Sequence, residues 1–364
     1  MIKYKKSILQ INKDRVINSV FDFNFPSLIK KIKQTEDGAF LVAYGEYPPQ
    51  IRCFDLYNLG LKFQRTINCE VKDFQIISQN WEKLVLLRSD KFLEFHSKAG
   101  YYYQIKIPSV SNSLFFDNLS KILYIFSIKN EIFRFNVEEG KFISSIVSNL
   151  DYYNTSSAKS FVGNFIGLGN SKGLIELWDF RVNKKPVSKI DGLLYLKKNN
   201  NNSVSSLSFS KSSIYKLYSG FSSGDMILYD LRNLNPIISK KIGNGLAVKT
   251  IKNNQNNNLI LCADQKIIKL WNEENGKTES IINPKKQINH VCHVQNTGFL
   301  FISTAEPQVD SRYIPLLGPL PVWCYTINEI QPNNFRRFQT IEKINEQKKN
   351  LKIRSCLENL NSYI

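Results

Sequence analysis

Residues 261–272 read LCADQKIIKLWN: an apolar strand leads into a tight turn, and a second strand ends at Trp271. The pattern occurs seven times along the chain, each time with an aromatic residue near the end of the second strand. The seven marker aromatics are Phe54, Phe95, Phe135, Trp178, Tyr229, Trp271 and Tyr313. Successive markers lie 41, 40, 43, 51, 42 and 42 residues apart. A period near forty residues indicates a repeat protein whose units each contain several strands.

Several strands in each unit of this length predict a β-propeller of the WD40 type. The sixth unit, for example, divides into the strands AVKTIKNN, LILCAD, KIIKLWN and KTESIIN. Some strands are apolar on both faces, as expected when each blade packs between two neighbours. We therefore predict an all-β fold, a closed seven-bladed propeller over residues 15–330, with little helix before residue 331.

The two ends of the chain differ from the repeats. Residues 1–14 form a basic N-terminal segment and a candidate ring-closing strand. Residues 331–364 contain no glycine and no alternation of apolar and polar residues. Within them, Ile341, Ile344 and Leu351 have the spacing of an amphipathic helix. We predict that this segment is a short basic tail, either helical or disordered.

The composition predicts a soluble, intracellular chain with phosphate-containing partners. The 364 residues carry a formal net charge of +18, which suits contact with nucleic acid. A bias towards Lys, Asn and Ile throughout the chain accounts for part of that charge. The six cysteines form no C-x-x-C pair, and the apolar runs are far shorter than a membrane span. We therefore predict free thiols, no signal peptide and no membrane partner.

Two short motifs resemble catalytic or metal-binding signatures without completing them. Gly276-Lys277-Thr278 resembles the end of a phosphate-binding loop, but Trp271 stands where the loop requires glycine. His290, Cys292 and His293 lie close in sequence, but a strand directs His293 to the face opposite the other two. The sequence shows no acid–base pair or nucleophile arrangement, so we predict no enzymatic activity and no cofactor.

Basic residues near both ends are candidate contacts for RNA phosphates or for protein partners. The alternative is that they are solvated lysines and arginines of a biased composition. These candidates are Lys3, Lys5, Lys6, Arg336, Arg337, Lys348 and Lys349. The marker aromatics are candidates for base stacking, but their recurrence at the structural period favours a role in the blade core.

Two blade ends share the pattern W/Y-D-x-R. Its residues are Trp178, Asp179, Arg181, Tyr229, Asp230 and Arg232. The pattern resembles the element by which propeller substrate receptors dock on the adaptor of the cullin-4 ubiquitin ligase. The simpler interpretation is that Asp and Arg brace the end of the strand through charge-assisted hydrogen bonds.

Four groups of segments resemble the nucleolar protein ten family, which is a WD-repeat component of the small-subunit processome. They are residues 37–65, residues 91–108, the two W/Y-D-x-R blade ends, and residues 263–277 together with SRYIPLLGPLPVWC (311–324). The last stretch is the most specific, because proline-rich punctuation within a blade is unusual. Its signature residues are Tyr313, Pro315, Gly318, Pro319, Pro321, Trp323 and Cys324. The resemblance covers about residues 15–330.

The resemblance implies a non-catalytic scaffold in ribosome biogenesis, located in the nucleus and nucleolus, that acts in processing of the small-subunit rRNA precursor. Its partners would be processome proteins and precursor ribosomal RNA, and it would have no small-molecule substrate. Compared with the family, the N-terminal segment is short and the region after the ring is reduced to residues 331–364. The alternative function is a substrate receptor of a cullin-4 ubiquitin ligase, which would depend on Arg181 and Arg232.

Overall fold

The structure is a computed structural model that describes ten stretches of the chain. They are residues 15–16, 23–148, 154–160, 165–179, 185–196, 202–213, 215–243, 245–254, 258–284 and 286–324. The chain divides into two compact units, Met1–Pro319 and Leu320–Ile364. The first unit contains all strands found among these stretches, and residues 320–324 are the described part of the second unit.

The strands of the first unit form seven antiparallel sheets of four strands each, which is the blade arrangement of a propeller. Blade 1 consists of β2 (Ile29–Gln34), β3 (Phe40–Gly45), β4 (Gln50–Asp55) and β5 (Gly60–Thr66). Blade 2 consists of β6 (Val71–Ile76), β7 (Leu84–Arg88), β8 (Phe92–Ser97) and β9 (Gly100–Lys106). Blade 3 consists of β10 (Ser111–Asp117), β11 (Ile122–Ser127), β12 (Glu131–Asn136) and β13 (Lys141–Val147).

The remaining four blades follow in chain order. Blade 4 consists of β14 (Asn154–Lys159), β15 (Phe165–Asn170), β16 (Leu174–Asp179) and β17 (Ser188–Asp191), followed by a 3-10 turn at Leu193–Tyr195. Blade 5 consists of β18 (Val204–Phe209), β19 (Lys216–Phe221), β20 (Asp225–Asp230) and β21 (Pro236–Lys241). Blade 6 consists of β22 (Thr250–Asn253), β23 (Leu259–Ala263), β24 (Ile268–Asn272) and β25 (Thr278–Ile282). Blade 7 consists of β26 (Ile288–His293), β27 (Phe299–Thr304) and β28 (Val309–Tyr313), together with β1 (Arg15–Val16).

Burial depends on the position of a strand within its blade. The second strands β7 (LVLLR) and β23 (LILCA) bury every residue, because both faces pack against neighbouring blades. The fourth strand β21 (PIISKK) alternates between half-buried and exposed residues, since one face is open to solvent. All seven marker aromatics lie on third strands; six are buried, and Tyr313 is half-buried. The prediction of an all-β, seven-bladed propeller is confirmed.

The N-terminal part of the chain completes blade 7. Strand β1 pairs antiparallel with β28 and places Arg15 opposite Tyr313. The contact continues beyond this strand, where the Phe25 N–H donates to the Pro307 carbonyl at 2.8 Å. Sequence-distant segments therefore share one sheet, which covers an edge that β28 would otherwise expose.

Several predicted features lie outside the described residues. They are the N-terminal segment 1–14, the tail 331–364 and most of the Asn-rich loop at 197–203. The division of the chain at residues 14 and 330 therefore stays a prediction. Among the described residues, no helix is long and apolar enough to cross a membrane.

Glycines on the second strands allow neighbouring blades to approach closely. A Cβ added at Gly169 on β15 would lie 2.6 Å from the Cγ1 atom of Val204. A Cβ added at Gly220 on β19 would lie 2.7 Å from the Cβ atom of Val248. Each valine belongs to the next blade or leads into it, so side chains at these two positions would force the blades apart.

Candidate functional site

The first strands of all seven blades line one central channel with a volume of about 790 Å³. One lining residue from each blade, in order from blade 1 to blade 7, is Lys31, Asp73, Ser113, Thr155, Ser205, Thr250 and His290. Successive residues of a strand point to opposite faces, so one face of each first strand borders the channel. The seven residues named on that face are polar. The ring therefore encloses a polar cavity.

Lysines from blades 1 and 6 lie near a histidine from blade 7, the blade between them. Lys31 and Lys33 lie on β2, Lys252 lies on β22 and His290 lies on β26. We call these four residues the channel cluster. The Lys252 side chain is open to the channel and forms no ion pair or hydrogen bond with any residue in the described stretches. One charge of the cluster is therefore available to a ligand.

Enclosure within the ring changes the protonation of the cluster. Burial lowers the pKa of Lys33 to about 7; the Asp73 charge opposes this shift, and the charges of Lys31 and Lys252 add to it. Burial also lowers the pKa of Lys252, even though its side chain reaches the channel, because the surrounding ring reduces its hydration. The pKa of His290 lies well below its usual value because of burial and the nearby lysine charges. Burial and repulsion between its members therefore disfavour the positively charged forms of the cluster residues.

The carboxylate of Asp73 is the main counter-charge in this region and joins three blades. It accepts a hydrogen bond from Lys31 Nζ of blade 1 at 2.8 Å and lies 3.5 Å from Lys33 Nζ. It also accepts a hydrogen bond from the backbone N–H of Leu114 in blade 3 at 3.0 Å. Burial raises the pKa of Asp73, but the two lysine charges outweigh burial and bring it to about 2.

The W/Y-D-x-R pattern of blade 5 forms a local brace. Asp230 accepts hydrogen bonds from the Arg232 side chain at 3.0 and 3.2 Å and from the Arg232 backbone N–H at 3.0 Å. The Arg232 guanidinium also lies over the Tyr215 ring at 4.9 Å from its centroid. Of the equivalent residues in blade 4, Asp179 is buried, whereas Arg181 lies outside the described residues. In blade 5, Asp230 and Arg232 therefore brace the end of the strand through charge-assisted hydrogen bonds.

The aromatic residues of the blade ends belong to the core. Trp178 is fully buried, and its indole N–H donates to the Glu176 carboxylate at 3.1 Å. Trp271 is buried as well, and its indole N–H donates to Cys262 Sγ at 3.1 Å. Tyr229 is fully buried in the cluster between blades 4 and 5. These rings pack between blades and offer no open face to a base.

The two incomplete catalytic motifs adopt ordinary propeller structure. His290, Cys292 and His293 lie on β26, and no group of three or more His, Cys, Asp or Glu residues within the described stretches could hold a metal ion. Gly276 lies in the turn between β24 and β25 with a φ of 59°, which favours glycine there. Its carbonyl accepts a hydrogen bond from Lys240 Nζ at 2.6 Å, so the turn is tied to blade 5.

The family signature begins at Tyr313, the last residue of β28, and continues beyond the strand. The Tyr313 hydroxyl donates to the Gly318 carbonyl at 3.2 Å, and the Pro319 carbonyl accepts the Gly298 N–H at 2.9 Å. The exposed Pro315 lies between these contacts. The first unit thus ends in a segment folded back onto the β26–β27 turn, and its prolines and glycine fit a tight path rather than a strand.

The last three signature residues belong to the second unit. Pro321, Trp323 and Cys324 are buried, and the Cys324 N–H donates to the Pro321 carbonyl at 3.0 Å. Burial raises the pKa of the Cys324 thiol to about 12, so it is a neutral thiol at neutral pH.

The channel lysines were not among the basic residues predicted from the sequence as contacts. The predicted contacts all lie outside the described residues; they are Lys3, Lys5, Lys6, Arg336, Arg337, Lys348 and Lys349. The available signal was the placement of Lys31 and Lys33 two residues apart on a first strand, which directs both to one face. That face of a first strand borders the propeller axis, so charged residues there are channel candidates.

The fold and the channel define the class of protein: a closed seven-bladed β-propeller with a basic, polar axial cavity. The family model described as "Nucleolar protein 10-like, N-terminal domain" matches residues 3–333. The chain belongs to this nucleolar protein 10 family, which confirms the resemblance seen in the sequence.

Curated relatives agree with this assignment. Nucleolar protein 10 of Danio rerio is 35% identical over 334 residues, which cover 90% of this chain and 46% of the relative. Nucleolar protein 10 of Homo sapiens is 33% identical over 334 residues, with 90% and 48% covered. Ribosome biogenesis protein ENP2 of Saccharomyces cerevisiae is 34% identical over 320 residues, with 86% and 44% covered. The chain spans about half the length of the curated relatives it matches.

Proposed function

We propose that this chain is a non-catalytic scaffold in ribosome biogenesis. It acts in the nucleolus as a component of the small-subunit processome, and its partners are processome proteins and precursor ribosomal RNA. The observation that carries the proposal is the 34% identity to a protein named for ribosome biogenesis, which extends over 320 residues. That similarity includes the propeller, so it concerns the described fold itself.

The propeller suits a scaffold role because its surface offers many separate contact points on one closed frame. Aromatic residues are exposed at turns and outer strands, with Tyr47 78% and Tyr102 70% accessible. Exposed tyrosines of this kind are enriched in protein interfaces. The basic ends add sequence-independent contacts to RNA phosphates, which position a scaffold without reading base sequence.

Affinity purification of the tagged chain from cells that express it tests this function. RNA sequencing and protein identification should recover small-subunit rRNA precursor together with processome proteins. Recovery should fall as salt increases, because each lysine or arginine that neutralises a phosphate releases counterions. A cullin-4 adaptor recovered without ribosomal RNA would contradict the proposal and favour the substrate-receptor alternative.

Charge-reversal variants show whether the tail or the overall surface charge governs binding to the precursor particle. Glutamate at Arg336, Arg337, Lys348 and Lys349 should reduce recovery of the precursor particle. The matched control places glutamate at four exposed lysines on the fourth strands of the blades, which are Lys62, Lys106, Lys141 and Lys241. Equal loss in both variants would show that net charge, and not the tail, governs binding.

A further inference from the structure

We propose that the central channel binds a compact polyphosphate anion, of the class of oligophosphates and inositol polyphosphates, through Lys31, Lys33 and Lys252. The site is distinct from the blade surfaces and basic ends that the scaffold role uses. Anion binding there does not require the processome assignment, because the residues that would bind the anion all line the channel.

The channel lining carries more basic than acidic side chains. The lining carries five lysines, which are Lys31, Lys33, Lys211, Lys249 and Lys252. It carries three carboxylates, which are Glu36, Asp73 and Asp117. Two of these carboxylates bond to groups of the channel rim: Glu36 accepts from the Asn118 amide, and Asp117 accepts from the Ser120 hydroxyl. These neutral donors leave both carboxylates charged, and Asp73 is the carboxylate that pairs with the cluster. With five lysines and three carboxylates, the lining carries a formal excess of positive charge.

The channel lining also contains polar atoms that have no hydrogen-bond partner among the described residues. The Thr250 hydroxyl and the Nδ1 atom of His290 are buried beside the channel and have no hydrogen-bond partner among the described residues. Buried polar atoms usually have partners, so two such atoms next to an excess of lysines are informative. Phosphate oxygens would accept from the Thr250 hydroxyl and from an imidazole N–H, and would also pair with the ammonium group of Lys252.

The size of the channel selects among anions. Its volume of about 790 Å³ falls within the range of small-molecule sites. Several phosphate groups on a compact framework fit such a space and reach lysines on different blades at once. A folded RNA or a protein domain would stay at the channel mouth and leave Lys252 without a partner.

Binding should be linked to proton uptake at Lys33. An anion stabilises the ammonium form, which burial and repulsion disfavour in the free protein. The charged and titratable groups that interact with Lys33 are Lys31, Lys252, Asp73, His290 and Cys292. The affinity should therefore rise as the pH falls from about 8.5 to 6.5. Lys33→Arg should show a weaker pH dependence, because a guanidinium stays charged over this range.

Isothermal titration calorimetry of the full chain with tripolyphosphate and with inositol hexakisphosphate tests the proposal. We expect saturable binding of one anion per chain to the wild type. Lys252→Gln should weaken it roughly tenfold, the scale expected for one charge-assisted contact. Lys62→Gln, which removes an exposed lysine on the outer strand β5, should leave the affinity unchanged. Lys252 is open to the channel, so its variant should keep the wild-type melting temperature in the absence of anion.

Three results would overturn the proposal. The first is the absence of saturable binding of either probe. The second is an equal loss of affinity in Lys252→Gln and Lys62→Gln, which would indicate general surface charge. The third is tighter binding of a short single-stranded RNA or an acidic peptide that is lost in Lys252→Gln, which would assign the channel to a macromolecule.

Discussion

Asp73 connects three blades through one buried carboxylate. Its partners are two lysines of blade 1 and a backbone N–H of blade 3, while Asp73 itself lies on blade 2. A buried charge of this kind is stabilising only when its partners stay in place, because an ion without partners in a low-dielectric region is costly. The first strands of blades 1 to 3 are thus held in a fixed relation by electrostatics as well as by packing.

Replacement of this carboxylate should destabilise the ring. Asp73→Asn should reduce the free energy of unfolding by about 2–3 kcal/mol at pH 7, the value that corresponds to the lowered pKa of Asp73. A depressed carboxyl pKa stabilises the fold above the unfolded-state pKa near 4 and loses that effect as the pH falls towards 2. The difference between wild type and variant in urea unfolding should therefore be full at pH 5 and shrink below pH 4.

A matched control is available for this prediction. Asp37 is exposed and lies in the β2–β3 turn, so Asp37→Asn should have little effect at any pH. A loss of stability in Asp73→Asn that is equally large at pH 2.5 and pH 7 would show that the carboxylate charge is not the cause.

Single residues differed in how well the sequence predicted them. The marker aromatics were predictable because the blade core repeats, so Trp178 and Trp271 recur at the structural period. The channel residues were not, because the ring axis has no repeating chemistry: blades 1 and 6 place lysine there, blade 2 places aspartate and blade 7 places histidine. A position that changes residue type from blade to blade leaves no periodic signal.

Between strands, the contact of one blade with the next is set by small residues. Gly220 on β19 faces Val248, which leads into the first strand of blade 6. A methyl group at position 220 would overlap the valine side chain. Protein interiors are packed as densely as organic crystals, so the neighbouring atoms would have to move. The sequence predicted the four-strand frame of each blade from apolar periodicity, but it could not show which glycines are required by close approach.

Gly220→Ala should therefore destabilise the propeller by about 1–3 kcal/mol, the usual range for overpacking in a core. Gly60→Ala is the matched control, because an added Cβ there has its nearest neighbour at 3.8 Å. Both changes remove a glycine from the unfolded chain, so the difference between the two variants reports the crowding around Gly220, to which Val248 and the Ser206 hydroxyl contribute. Equal melting temperatures for the two variants would contradict the packing argument.

The exposed Asp–Arg brace at the end of β20 should contribute little to the stability of the propeller. Arg232 is exposed and bonds to its own blade, so Arg232→Ala should keep the melting temperature of the wild type within error. Purification of this variant should recover the same partners as the wild type. Selective loss of a cullin-4 adaptor from the variant would instead support the receptor function.

The whole molecule is a ring closed by distant parts of the chain. Strand β1 near the N-terminus supplies the fourth strand of blade 7, where it pairs with β28. The number of blades followed from the spacing of the marker aromatics, and the family followed from local motifs such as SRYIPLLGPLPVWC. The residues that pair in closure were not predictable, because a strand of two residues, Arg15–Val16, is too short for a periodic pattern.

Depletion of the chain in the cells that express it tests the central claim most directly. Northern analysis should show accumulation of unprocessed small-subunit rRNA precursor and a loss of mature small-subunit rRNA, while large-subunit rRNA is affected later or less. Wild-type chain should restore processing, and a variant that folds but lacks the basic tail residues should restore it less well. Unchanged small-subunit rRNA after depletion, especially with accumulation of a ubiquitin-ligase substrate, would contradict the account.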